Sequence, residues 1–196
     1  MAFLRSGILP TTILLMGFLL PSAIVAQPIA ERLAPCLACH GENGTSQTPG
    51  VPSLGGQPAA FVLIQLYQFR EKQRIAAPMN ELTAEFTDDD LRTFSDEIAK
   101  LPPPVPASDA AVDAALIEKG RAAAQRHRCG FCHNPDMSGH DQIPRIGAQR
   151  EDYLARVLRE YKSGERRGYD PAMVEIAVGI ADDEIAALAH YLANLR

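Results

Sequence analysis

The pattern Cys-x-x-Cys-His occurs twice in this chain, as Cys36-Leu-Ala-Cys39-His40 and as Cys129-Gly-Phe-Cys132-His133, and each copy opens a stretch that repeats the other in register. After His40 comes Pro52-Ser-Leu-Gly-Gly-Gln57, and after His133 comes Pro144-Arg-Ile-Gly-Ala-Gln149. Twelve residues beyond each glutamine stands an aromatic residue, Phe69 or Tyr161, and five further on an arginine, Arg74 or Arg166. A methionine follows, Met79 or Met173. Twelve residues later Leu91 or Ile185 begins a matched apolar face: Phe94, Ile98 and Leu101 against Leu188, Leu192 and Leu195. Self-similarity over so long a period means two like units in tandem, not one domain.

The repeated motif specifies chemistry. On a helical turn, positions i, i+3 and i+4 share a face, so two thiols and one imidazole address a single flat ligand. This is the c-type haem attachment pattern: Cys36, Cys39, Cys129 and Cys132 are the expected thioether positions, and His40 and His133 the proximal iron ligands. Three other readings explain less. A thioredoxin-like pair expects a βαβ context, which is absent. Paired CxxC units on one zinc usually lie about 12–20 residues apart, whereas Cys39 and Cys129 are ninety apart. Two disulfides suit an exported chain but leave the histidine after each pair unexplained.

Met79 lies 39 residues after His40 and Met173 lies 40 after His133. That is enough chain to round the edge of a planar ligand and return on its far face, so both are expected as the second axial ligands, each in a loop before the last helix of its unit. Met137 follows its histidine by only four residues, too short for the circuit, and reads as core filling. His127, His140 and His190 have no counterparts in the other repeat and read as core or surface residues. The carbonyls of Pro52 and Pro144 can accept a bond from the imidazole Nδ1–H and orient it. Arg74 and Arg166 are equally readable as partners of haem propionates or as solvated helix ends.

Helical periodicity marks Pro58 to Gln73 and its counterpart Glu151 to Ser163. A further helix starts after Thr87, an N-cap candidate, with Asp88, Asp89 and Asp90 in its first turn; Asp182, Asp183 and Glu184 stand at the same positions in the second repeat. An alanine-rich helix is expected from about Ala110 to His127. With few residues ahead of Cys36, the equivalent helix of the first unit should be short or missing.

Residues 1–26 read as a signal peptide: Arg5, an apolar run from Ile8 to Leu20, then Pro21-Ser-Ala-Ile-Val-Ala26. Cleavage is expected after Ala26; because Ile24 is not small, a retained anchor is the alternative. No later run approaches the ~18 apolar residues of a membrane span. The expected division is 27–100 for the first domain, 101–109 for a proline-rich linker (Leu101-Pro-Pro-Pro-Val-Pro-Ala-Ser-Asp109), and 110–196 for the second domain. Domains of roughly 75–90 residues are marginal on their own, and a buried haem would supply much of the apolar filling. The formal charge is −5, or −6 without Arg5 of the signal segment, distributed as −4 over residues 27–104 and −2 over 105–196. That balance excludes a nucleic-acid binder and suits a partner with a basic patch.

The mature chain resembles the cytochrome c4 group, two fused class I cytochrome c domains, through Cys36-Leu-Ala-Cys39-His40-Gly41, Pro52 to Gln57, Met79 and their second-repeat counterparts. The resemblance implies an all-α fold of two tandem cytochrome c-like domains, each wrapped around one covalently bound haem c. His40 and Met79 would ligate one iron, and His133 and Met173 the other. It further implies a periplasmic single-electron carrier, soluble or loosely membrane-associated, working between a donor and an acceptor protein such as a respiratory complex and a terminal oxidase or reductase. The rival functions are a fixed electron-accepting subunit of a periplasmic dehydrogenase and a di-haem peroxidase; the peroxidase needs an open iron, which a methionine available to each iron argues against. Two positions depart from the repeat: Asn134 stands where the first unit has Gly41, and Ala148 where it has Gly56.

Overall fold

A computed structural model describes residues 28–106, 112–166 and 171–196. The expected signal segment, the end of the expected linker and the start of the alanine-rich stretch lie outside the described residues. Among those described the regular structure is helical, and the lone β-bridge joins His140 to Ile143. In chain order the helices are α1 (Ile29–His40), α2 (Ala59–Arg70), α3 (Met79–Thr83), α4 (Asp88–Ala99), α5 (Ala114–Arg126), α6 (Cys129–Cys132), α7 (Glu151–Ser163), α8 (Pro171–Val178) and α9 (Asp182–Ala193). No described helix is long and apolar enough to cross a membrane.

Two separate apolar cores form, one per repeat. The first gathers Leu33, Val62, Leu66, Leu91, Phe94 and Ile98, with Cys36, Leu54, Phe61 and Met79 against its edge. The second gathers Ala123, Ala124, Met137, Leu154, Ile180, Ile185, Leu188 and Leu192, with Cys129, Leu158 and Ile176 against it. Ile185 and Leu188 are fully enclosed, and each such side chain contributes about 1.5–3 kcal/mol by leaving water. Met137 is core, as its short distance from His133 requires.

Local chemistry sets the helix limits. Thr87 caps α4: its Oγ1 accepts from Asp90 N at 3.1 Å, and Asp90 Oδ2 accepts from Thr87 N at 2.9 Å, a reciprocal box that satisfies two donors at the helix start. Arg32 pairs with Asp90 and lies over the Phe94 ring, 5.0 Å from its centroid, which ties α1 to α4. Asp113 caps α5 by accepting from Ala115 N and Leu116 N. His190, buried in α9, bonds through Nδ1 to Glu151 Oε2 and accepts from Asp113 N at Nε2, so it joins α9 to the starts of α5 and α7.

Three features differ from the sequence expectation. Met79 and Met173 sit on helices, not in loops: Met79 begins α3 and Met173 lies in the first turn of α8. Pro78 before α3 and Pro171 at the start of α8 explain this, since proline has no N–H to waste and a preset helical φ at a helix start. The helix over Pro58 to Gln73 is shorter than expected, ending at Arg70, because Lys72 turns left-handed at φ 54°. The alanine-rich helix begins at Ala114, where Asp113 caps it.

Candidate haem-ligand sites

The first CxxCH lies on continuous helix, the last turn of α1. In the second repeat Arg128 adopts φ 55° and breaks α5 from α6, so Cys129 to Cys132 form a turn of their own. Either way the two thiols and the imidazole share one face. No disulfide joins any of the four cysteines, and among the described residues no three of His, Cys, Asp and Glu gather around a common metal point. Both facts disfavour the disulfide and zinc readings.

The chain must reverse sharply after each histidine. Gly41 does so at φ 89°, where a Cβ would meet Thr45 O at 2.1 Å, so only glycine fits. Asn134 takes the same role at φ 67°, a region asparagine tolerates, and its amide donates to Ser138 Oγ and Gly139 O, both at 2.9 Å. The departure at Asn134 therefore preserves the turn.

His40 is buried, and its Nδ1 donates to Pro52 O at 2.7 Å. His133 Nδ1 donates to Pro144 O at 2.8 Å. A carbonyl only accepts, so each bond places the proton on Nδ1 and the ring lone pair on Nε2. Burial, together with the Arg74 charge, outweighs the Pro52 bond and lowers the His40 pKa, favouring the neutral ring. A neutral imidazole, oriented through Nδ1 and presenting Nε2, is the form a haem iron takes as proximal ligand. Met79 is half-buried against the apolar core of its own repeat, and Met173 is half-buried.

The two repeats meet through polar groups. Arg74 donates to Gln65 Oε1 and to Tyr153 Oη, the latter across the boundary at 3.3 Å, and lies 4.5 Å from the Phe69 ring centroid. Arg166 pairs with Glu160 and stacks on Tyr161. Burial pushes the Tyr153 phenol up, but Arg74 and Arg166 together outweigh it and hold the pKa below its ordinary value. Arg74 has no carboxylate partner among the described residues, and Arg145 Nε is buried without a partner there. Such donors suit the acid groups of a bound haem. Tyr153 and the glutamines Gln57 and Gln149 were invisible to chemical reading of the sequence as functional residues; their signal was the identical place of the two glutamines in both repeats.

Two like helical units, each presenting a CxxCH on a turn and a carbonyl-oriented histidine, define the class of di-haem c-type cytochromes. The chain is 30% identical over 172 residues to cytochrome c4 of Pseudomonas aeruginosa, spanning 84% of this chain and 86% of that one. It is 30% identical over 170 residues to the thiosulfate dehydrogenase electron acceptor of Stutzerimonas stutzeri, spanning 82% and 78%. The crystal structure of reduced recombinant cytochrome c4 from Pseudomonas stutzeri superposes with a TM-score of 0.77 at 25% identity, covering 85% of this chain and 96% of that one. No protein-family model matches. The chain belongs to the cytochrome c4 family. It is an all-α, two-domain electron-transfer protein that carries two covalently bound haem c groups.

Proposed function

We propose that His40 and Met79 ligate the iron of the first haem, that His133 and Met173 ligate the second, and that Cys36, Cys39, Cys129 and Cys132 form the thioethers. The observation that carries the reading is the duplicated bond from His40 to Pro52 and from His133 to Pro144, each in register with a methionine on a later helix. When bound, a haem supplies a one-electron iron couple, and a His/Met ligand pair sets it at a high potential suited to electron transfer. The chain orients each imidazole through a backbone carbonyl and sets the first cysteine of each motif against the apolar core of its own repeat. Arg74, Arg145 and Arg166 offer donors to the propionates.

The two domains divide at 27–100 and 110–196 with 101–109 between them, and the chain is exported to the periplasm by residues 1–26. It works as a single-electron carrier between a donor and an acceptor redox protein. A second reading, an electron-accepting partner of a dehydrogenase, is favoured by the likeness to the thiosulfate dehydrogenase electron acceptor. Ligation is tested on purified holoprotein. Met79→Ala is expected to remove about half of the weak band near the red end of the oxidised spectrum that marks sulfur ligation, to lower one haem potential, and to open that iron to external ligands. Survival of the full band in a Met79→Ala, Met173→Ala double variant would refute it.

A further inference from the structure

The two glutamines that end the repeated motifs are buried, and each reaches into the opposite domain. Gln149 Oε1 accepts from Ser53 N at 2.8 Å, and its Nε2 donates to Ser53 O at 2.9 Å. Gln57 Oε1 accepts from Arg145 N at 3.1 Å, and its Nε2 donates to Arg145 O at 2.9 Å. The arrangement is reciprocal.

Ser53 and Arg145 directly follow Pro52 and Pro144. The N–H held by Gln149 therefore belongs to the same peptide group whose C=O accepts from His40 Nδ1. The N–H held by Gln57 belongs to the peptide group whose C=O accepts from His133 Nδ1. Each planar unit is gripped at both ends, by a histidine of its own domain and a glutamine of the other. Planarity is stiff, so the glutamine fixes the direction in which the carbonyl points. An acceptor on the N–H also polarises the C=O and strengthens it toward the imidazole.

We infer that Gln57 is a positioning residue for His133 and Gln149 a positioning residue for His40, so that each domain sets the ligand basicity of the other domain's haem. The inference rests on the reading of His40 and His133 as iron ligands. A stronger Nδ1–H···O bond makes the imidazole a better donor and favours the oxidised iron. Weakening it raises the potential.

The test compares Gln57→Met and Gln149→Met with the parent as two-haem proteins. Met keeps the length and removes both polar atoms. In the reduced, diamagnetic protein the Nδ1 protons of His40 and His133 are resolved by NMR, and their exchange with solvent is measured beside a redox titration of each haem. Gln57→Met is expected to raise the second haem's potential and to speed exchange at His133, leaving His40 unchanged; Gln149→Met gives the mirror result. Gln57→Asn, one methylene too short to reach Arg145, carries the same test where the methionine variant fails to fold. Shifts confined to the domain that bears the substitution, equal shifts at both haems, or no shift at either overturn the inference. A parent protein without two bound-imidazole signal sets refutes the ligation itself, a result distinct from any of these.

Discussion

Replacing Gly120 by alanine sets two physical effects against each other. Gly120 is buried in α5 where that helix crosses α9. On intrinsic propensity, alanine stabilises a helix interior by about 1 kcal/mol over glycine. The tertiary contact says the opposite. A Cβ at this position would lie 2.1 Å from Ala187 O and 2.5 Å from Tyr191 Cβ, while a normal carbon–oxygen contact is about 3.3 Å. The helices must separate by on the order of 1 Å, enough to forfeit a quarter to a half of each dispersion contact along the seam. Around it Ala123, Ala124, Ala187 and Leu188 are packed with 4% exposure or less, so nothing flexible can yield. Overpacking of this kind costs about 1–3 kcal/mol. With a backbone oxygen as the obstacle the upper figure applies, and after the propensity gain the net loss is about 2 kcal/mol. For a domain of this size that lowers Tm by about 8–16 °C. Far-UV circular dichroism on heating, with the holoprotein as reference, measures it. A Gly120→Ala protein as stable as the parent, or more so, would show that α5 and α9 do not cross at this distance.

The Arg32 guanidinium and the Thr87 bonds hold the Asp90 carboxyl down at about 2. Its contribution is therefore fully present above the ordinary carboxylate range near 3.8 and is lost as pH falls through about 2. Asp90→Asn should be less stable than the parent at neutral pH, on the order of 1 kcal/mol for a largely superficial pair, with the gap closing between pH 4 and 2 in acid-unfolding curves. Gly56 sits at φ 64° with Arg145 Nε 2.9 Å from a built Cβ and Pro103 Cα 3.1 Å away, so Gly56→Ala should cost about 1–2 kcal/mol. Ala148 occupies the equivalent place at φ 56°, and Ala148→Gly should gain about 0.5–1 kcal/mol. Denaturant titrations of the two variants check both signs.

What the sequence determined was local or periodic. The duplicated CxxCH and the register of everything after it specify two like units, because a repeat needs no knowledge of the fold. Helix α7 falls at Glu151–Ser163 as its apolar spacing demands, and Thr87 caps α4 because both halves of that box lie within four residues of each other. The bonds from His40 to Pro52 and from His133 to Pro144 were legible too, since a carbonyl close in sequence is the available acceptor for Nδ1. The methionines fall in register but on helices and not in loops, because Pro78 and Pro171 stand at the starts of α3 and α8. Tertiary structure alone decided the rest. Gln57 and Gln149 act on residues 88 and 96 positions away, Arg74 meets Tyr153 across 79, and Gly120 is required by a helix that begins 62 residues later. The glutamine and arginine pairings depend on how two domains close on one another, and the Gly120 contact on how α5 crosses α9 within the second; no local spacing records either geometry.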